Sequence, residues 1–124
     1  MQTVLFIGLF GALGCVARYY LSGWVYGLTG PSFPFGTLAV NAAGSFLVGL
    51  VMETGARTTL LPPDLRIAIV IGLLGGLTTF STFSYETVRQ IEGGHLVLAA
   101  LNIGASLLVC LFFTGLGIIS ARHF

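Results

Sequence analysis

The sequence contains few charged residues. Only 7% of its 124 residues are Asp, Glu, Lys or Arg, whereas 56% are hydrophobic. This leaves too little polar surface to cover a soluble globular protein, so the composition predicts an integral membrane protein. The formal net charge is +1, which provides no basic surface for a nucleic acid, and we expect no nucleic-acid partner.

Cysteine and metal-ligating residues are also scarce. The two cysteines, Cys15 and Cys110, fall inside predicted spans, where a thiol usually behaves as a small apolar side chain. The two histidines, His95 and His123, lie at opposite ends of one predicted span and cannot share a metal ion within one chain. Two cysteines are too few for a disulfide framework, and we expect none. Because the sequence also shows no nucleophile–base pair, we do not expect an enzyme.

Four hydrophobic runs are long enough to cross a membrane. A helix rises about 1.5 Å per residue, so about 20 residues cross a hydrocarbon core of about 30 Å. The first run lacks a basic flank and a convincing cleavage site, and we interpret it as a retained span. The sequence thus predicts one all-α membrane domain over residues 1–124, with spans at about 4–28, 36–52, 67–88 and 96–119.

The third run contains residues that disfavour a helix. Its segment 75–84 reads GGLTTFSTFS. Gly75 and Gly76 each cost about 1 kcal/mol in a helix interior, and the hydroxyl side chains compete for backbone hydrogen bonds. We therefore predict that the third span is broken at about residues 75–80. Non-helical backbone at membrane depth must be buried by protein or line a wet cavity, so the break marks a candidate ion site.

Two kinds of group near the predicted break suit ions. Carbonyl oxygens freed between Gly75 and Thr78 suit a hard cation such as Na⁺. Phe80 and Phe83 are three residues apart, and the positive edge of an aromatic ring gives an anion a weakly favourable contact. The alternative is that both are ordinary core phenylalanines. Neighbouring hydroxyls can donate hydrogen bonds to an anion, which favours the first interpretation.

Polar residues recur along one face of two other spans. In the second span Asn41, Ser45 and Gly49 are spaced every four residues. They form either a packing seam, with Asn41 hydrogen-bonded to a neighbouring helix, or the polar wall of a pathway. The fourth span carries four polar residues at the same spacing, which suggests a track: Asn102, Ser106, Cys110 and Thr114.

The charged residues within or near the ends of spans have several interpretations. Arg18 lies about 12 Å below the end of the first span, where it either snorkels to the interface or lines a water-filled vestibule. Glu86 lies one turn beyond Phe83, and Arg89 and Glu92 have the spacing of a surface ion pair. The nearby aromatic residues, to which we assign an anchoring role only, are Tyr19, Tyr20, Trp24 and Tyr26.

The arginines are divided almost evenly between the two sides of the membrane. The side of the termini has Arg57, Arg66 and Arg122, and the other side has Arg89 and, if it snorkels, Arg18. This bias is too small to fix the orientation. We therefore predict that the chain inserts both ways and forms an antiparallel dimer, which places two copies of the break side by side.

These motifs resemble those of a known family, the small bacterial fluoride channels called Fluc or CrcB. The resemblance covers essentially the whole chain and depends most on GGLTTFSTFS followed by Glu86, with support from residues 14–18 and 36–41. It implies a dual-topology antiparallel homodimer in the bacterial inner membrane, with two fluoride pores and one structural Na⁺ that is not transported. The implied function is passive fluoride efflux, which protects the cell from fluoride toxicity.

The resemblance also implies roles for individual residues. The backbone carbonyls of Gly75 and Thr78 would bind the Na⁺, and Phe80 and Phe83 would contact fluoride through their ring edges. The other residues of the implied fluoride path are Asn41, Ser81, Thr82, Ser106, Glu86 and Arg18. The family pattern has tyrosine and serine where this chain has Asn102 and Cys110, and a thiol is a weaker donor than a hydroxyl.

Two other functions fit a small membrane protein of this kind. A proton-coupled exporter of the small multidrug type is often dual in topology, but it is expected to carry a carboxylate deep in a span. Here Glu53, Glu86 and Glu92 lie near predicted span ends. A purely structural assembly subunit, paired with a paralogue, is the third candidate. Fluoride efflux from liposomes that hold only this polypeptide separates the three.

Overall fold

The structure is a computed structural model that describes residues 1–124, and it is helical apart from short connections. In chain order its elements are α1 (Gln2–Thr29), α2 (Phe35–Arg57), α3 (Pro63–Ile67), a π-helical segment (Ala68–Leu74), α4 (Gly75–Leu77), α5 (Phe80–Glu92) and α6 (Leu96–Arg122). Four stretches are long and apolar enough to cross a membrane: Gln2–Thr29, Phe35–Arg57, Pro63–Glu92 (the third span) and Leu96–Arg122. The prediction of an all-helical, four-span membrane protein is confirmed.

Within residues 75–80 of the third span, the extended backbone lies at the two threonines and not at the two glycines. Gly75 and Gly76 are helical residues of α4. Extended dihedrals are confined to Thr78 and Thr79, and the turns that precede α4 are π-helical. The low helix propensity of glycine predicts the break at Gly75 and Gly76. Packing against neighbouring helices overrides that propensity, so the two glycines stay helical.

Two seams of close backbone contact hold the spans together. α1 packs along the first half of the third span, and α2 packs along α6. A Cβ on Gly76 would lie 2.7 Å from the carbonyl oxygen of Gly11, and one on Gly117 would lie 2.1 Å from that of Phe46. No side chain fits at these distances, so glycine allows the backbones to approach as closely as helices in lipid commonly do.

Ion pairs mark the two ends of the bundle. At the end that carries both termini, Arg122 Nε donates to Glu53 Oε1 at 2.8 Å. At the opposite end Arg89 Nη1 lies 3.1 Å from Glu92 Oε2, which confirms the predicted surface pair. Exposed pairs of this kind stabilise a protein by less than about 1 kcal/mol, so packing rather than charge holds the bundle together.

Most side chains of one copy point outward. Only 18 of the 124 residues are buried, because the spans carry large apolar side chains on the faces that turn away from the bundle. Such faces are stable only against lipid or against other apolar protein surface.

Candidate functional site

Two extended residues lie between α4 and α5. Thr78 has φ −90° and ψ 158°, and Thr79 has φ −152° and ψ 117°. Threonine favours extended backbone because its Cβ is branched, and it is also a good N-cap. Thr79 caps α5 through its Oγ1, which accepts a hydrogen bond from the Thr82 N–H at 3.1 Å. The sequence therefore ends one helix and begins the next within two residues.

Asn41 of α2 binds the backbone of Thr79 with both ends of its side-chain amide. Its Oδ1 accepts from the Thr79 N–H at 2.7 Å, and its Nδ2 donates to the Thr79 carbonyl oxygen at 3.0 Å. In a regular helix the Thr79 N–H would donate to the carbonyl of Gly75. Asn41 thus stabilises the extended backbone and leaves the Gly75 carbonyl without its helical donor.

A groove of about 390 Å³ opens beside the extended pair, between α2, the third span and α6. We call it the phenylalanine cavity, because Phe80 and Phe83 line it. The centroids of the two rings are 5.5 Å apart, and their planes are inclined at 49°. The other predicted site residues that line this cavity are Asn41, Gly75, Thr78 and Ser106.

A second groove, of about 360 Å³, opens between α1, α2 and the start of α5. We call it the arginine cavity, because Arg18 lines it together with Thr82. Arg18 is partly buried and takes part in no ion pair. Thr79 lines both cavities, so the predicted site residues fall into two groups that meet at this threonine. Ser81 lines neither cavity, and its hydroxyl oxygen lies 3.4 Å from Thr79 Oγ1.

The carboxylate of Glu86 is bound by hydroxyls from two other helices. Tyr26 Oη of α1 donates to Glu86 Oε2, and Thr37 Oγ1 of α2 donates to Glu86 Oε1. The two hydroxyl oxygens lie 3.1 Å from each other. Tyr26 and Thr37 line the arginine cavity, whereas Glu86 is not among the residues that line it.

The sequence does not predict this cluster. Its aromatic pattern favours a membrane anchor at Tyr26, and it indicates no chemical role for Thr37. The available signal was Glu86 itself, since an ionisable residue inside a span requires a polar partner. The sequence did not indicate which helix faces would supply that partner, because Tyr26 and Glu86 are 60 residues apart.

The four residues of the polar stripe on α6 have three different environments. Ser106 and Cys110 line the phenylalanine cavity. Asn102 is only 1% exposed, and its Nδ2 donates to Thr87 Oγ1 of α5 at 2.8 Å. Thr114 Oγ1 donates to the Cys110 carbonyl oxygen within α6 at 3.0 Å. The structure therefore brings two of the four stripe residues to the cavity, while Asn102 connects two helices.

The fold and the site define a four-span, all-helical membrane protein with two cavities that share an extended threonine, Thr79, in their lining. The profile of the family described as "CrcB-like protein, Camphor Resistance (CrcB)" matches residues 5–118, which is most of the sequence. The chain belongs to this CrcB family, and the resemblance seen in its motifs is confirmed.

Individual relatives are similar over the whole chain. The chain is 63% identical over 123 residues to the fluoride-specific ion channel FluC of Geotalea daltonii, with 99% of both chains covered. It is 62% identical over 123 residues to the FluC of Geobacter metallireducens, again with 99% of both chains covered. The FluC of Geotalea uraniireducens is 60% identical over 122 residues, with 98% of both chains covered.

Proposed function

We propose that this protein is a fluoride-specific ion channel that lets fluoride leave the cell passively across the bacterial inner membrane. The observation that carries the proposal is the 63% identity, over 99% of both chains, with a protein named as such a channel. The four apolar spans agree with a multi-pass membrane protein. The chain is then a channel and not an enzyme, and its function is to protect the cell from fluoride toxicity.

The need for such a channel follows from the chemistry of a weak acid. Neutral HF enters a cell and dissociates, which leaves fluoride trapped inside. A passive channel lets the anion leave along its electrochemical gradient. Because fluoride is small and strongly hydrated, the groups that replace its water must be close and the bore must be narrow.

We assign the fluoride path to the two cavities beside Thr79. Arg18 places a cation without an acidic partner in the arginine cavity, where Thr82 adds a hydroxyl. In the phenylalanine cavity the ring edges of Phe80 and Phe83 and the Ser106 hydroxyl suit an anion. The remaining assigned residues are Asn41, whose Nδ2 has a second N–H, together with Ser81 and Glu86.

We propose further that the working unit is an antiparallel homodimer. The phenylalanine cavity is an open groove in one copy, and Phe80 is 76% exposed there. A second copy would cover this apolar surface. Support for two orientations comes from the near balance of arginines, since Arg122 pairs with Glu53 at one end of the bundle and Arg89 with Glu92 at the other.

The same dimer would hold a structural Na⁺ at the carbonyls of Gly75 and Thr78. A hard cation prefers oxygen ligands, and the Gly75 carbonyl lacks its helical donor because the Thr79 N–H donates to Asn41. Since one copy offers few oxygens, the second copy would complete the coordination.

Replacing Na⁺ by choline is expected to weaken the dimer or to stop conduction. Gel filtration measures the first effect, and fluoride flux measures the second. A protein indifferent to Na⁺ in both measurements would contradict the site.

The function is tested with purified protein in liposomes that contain no other polypeptide. We expect a fluoride electrode to record rapid release of internal fluoride, while internal chloride is retained. Release no faster than from empty liposomes would overturn the proposal. Release that requires an imposed proton gradient would instead favour the proton-coupled exporter.

A further inference from the structure

Glu86 differs from the other three acidic residues in its partners. Glu53 and Glu92 form ion pairs with arginines, and Asp64 is exposed at the surface. Glu86 is partly buried, forms no ion pair, and accepts hydrogen bonds only from hydroxyl groups. A carboxylate in this position is fixed by those hydroxyls and by nothing of opposite charge.

A cation without an acidic partner, Arg18, lies along the arginine cavity, which is also lined by the two residues whose hydroxyls bind Glu86. Arg18, Ser22 and Tyr26 are spaced every four residues on α1, so they share one helix face, and all three line the arginine cavity. Arg18 and Tyr26 are separated by about 12 Å along the helix axis. In a partly buried setting a free carboxylate and a free guanidinium attract each other more strongly than in water.

We propose that Tyr26 is a positioning residue that holds the Glu86 carboxylate away from Arg18. Tyr26 fixes Oε2 and Thr37 fixes Oε1, which keeps the carboxylate behind two hydroxyls. Without the Tyr26 hydroxyl one oxygen loses its donor, and the side chain turns into the arginine cavity to pair with Arg18. The ion pair then removes the positive charge that attracts an anion. The effect on flux rests on the proposed fluoride channel.

The flux test uses Tyr26→Phe, which removes one hydroxyl and keeps the ring that packs over Gly36. We expect fluoride efflux from liposomes to fall about tenfold or more. Losing one hydrogen bond to a charged group changes the equilibrium between two positions of that group by about this factor. Tyr20→Phe is the matched control, since Tyr20 is on the same helix, is 70% exposed and makes no hydrogen bond through its hydroxyl. This control should conduct like the wild type.

A double variant separates positioning from mere packing. In Tyr26→Phe with Glu86→Gln the neutral amide cannot form an ion pair with Arg18. Because Glu86 is itself assigned to the path, the reference is Glu86→Gln alone, and efflux from the double variant should equal that of this single variant and exceed that of Tyr26→Phe. A structural role of Tyr26 in packing would give no recovery. Wild-type flux in Tyr26→Phe, or a double variant slower than Glu86→Gln alone, would overturn the proposal.

Infrared spectroscopy gives a readout that does not depend on fluoride. In purified protein with ¹³C-labelled glutamate carboxyl groups, the Glu86 band is the one that disappears in Glu86→Gln. We expect this band to shift in Tyr26→Phe and to stay in place in Tyr20→Phe. An unshifted band overturns the proposal whatever the flux. If wild-type liposomes release no fluoride, the proposed function fails, and the band still decides whether Tyr26 positions Glu86.

Discussion

Asn41 is the residue on which the local backbone geometry most depends. Thr79 is 8% exposed, and Asn41 pairs both its N–H and its carbonyl oxygen. A buried backbone group without a partner costs about 1–3 kcal/mol. The side-chain amide is the only kind of side chain that offers both a donor and an acceptor in the geometry of a peptide group.

Asn41→Leu is therefore expected to lower the free energy of unfolding by about 1–3 kcal/mol. The measurement is a denaturation titration of the purified protein in detergent. Ser45→Ala is the control, because Ser45 lies one turn further along the same helix face and lines the same cavity. Equal stabilities of the two variants would contradict the role given to Asn41.

The sequence defined Asn41 only up to two alternatives, a packing seam or the wall of a pathway. In the structure the amide bonds the extended backbone of Thr79 in the third span and also lines the phenylalanine cavity. A role in a pathway stays a proposal. Four-residue spacing identifies the shared face of a helix. It does not identify what that face meets, which is also why Tyr26 was missed as a partner of Glu86.

At the scale of the helices, the seam between α2 and α6 shows what glycine provides in lipid. There is little hydrophobic driving force between helices in a bilayer, so close van der Waals packing has to hold them together. A Cβ on Gly117 would lie 2.1 Å from the Phe46 carbonyl oxygen, whereas one on Gly115 would meet nothing within 4 Å. Two glycines of the same helix thus serve different purposes.

We expect Gly117→Ala to destabilise the protein by about 1–3 kcal/mol through overpacking. Gly115→Ala should be neutral or slightly stabilising, because alanine is the better helix former. Thermal unfolding in detergent, followed by circular dichroism, measures both variants. A tolerated alanine at position 117 would show that the helices do not approach each other as closely as described.

Local sequence predicts some features of the third span and not others. Its glycines and hydroxyl residues indicate a break at about residues 75–80, and the structure has extended backbone at Thr78 and Thr79 within that range. The π-helical segment before α4 left no recognisable pattern, because it depends on how the chain packs against α1. Asn41, 38 residues away from Thr79, decides which backbone groups stay paired, and no local pattern contains that information.

At the scale of the whole molecule, hydropathy alone predicted the four spans and the helical fold. The helices are longer than the predicted spans: α2 continues to Arg57 and α6 to Arg122, beyond the predicted span ends at 52 and 119. The polar residues at these ends still favour helix although they do not favour lipid. The arrangement of two copies is not determined by one chain's hydropathy, and it stays a proposal.

The proposed dual topology predicts a labelling pattern in the intact cell. Because the arginines are nearly balanced between the two ends, we expect roughly half of the chains to insert in each orientation. A cysteine-free variant with a reactive tag at either terminus should be labelled from both sides of the membrane. Labelling from one side alone would exclude the antiparallel dimer.

The proposed fluoride path passes Phe80, and one flux measurement decides whether it does. Phe80→Ile removes the aromatic edge, so it should abolish fluoride efflux from liposomes while gel filtration shows unchanged assembly. Phe112→Ile, an exposed phenylalanine of α6 outside both cavities, should conduct like the wild type. Efflux at the wild-type rate from Phe80→Ile would contradict the assigned path.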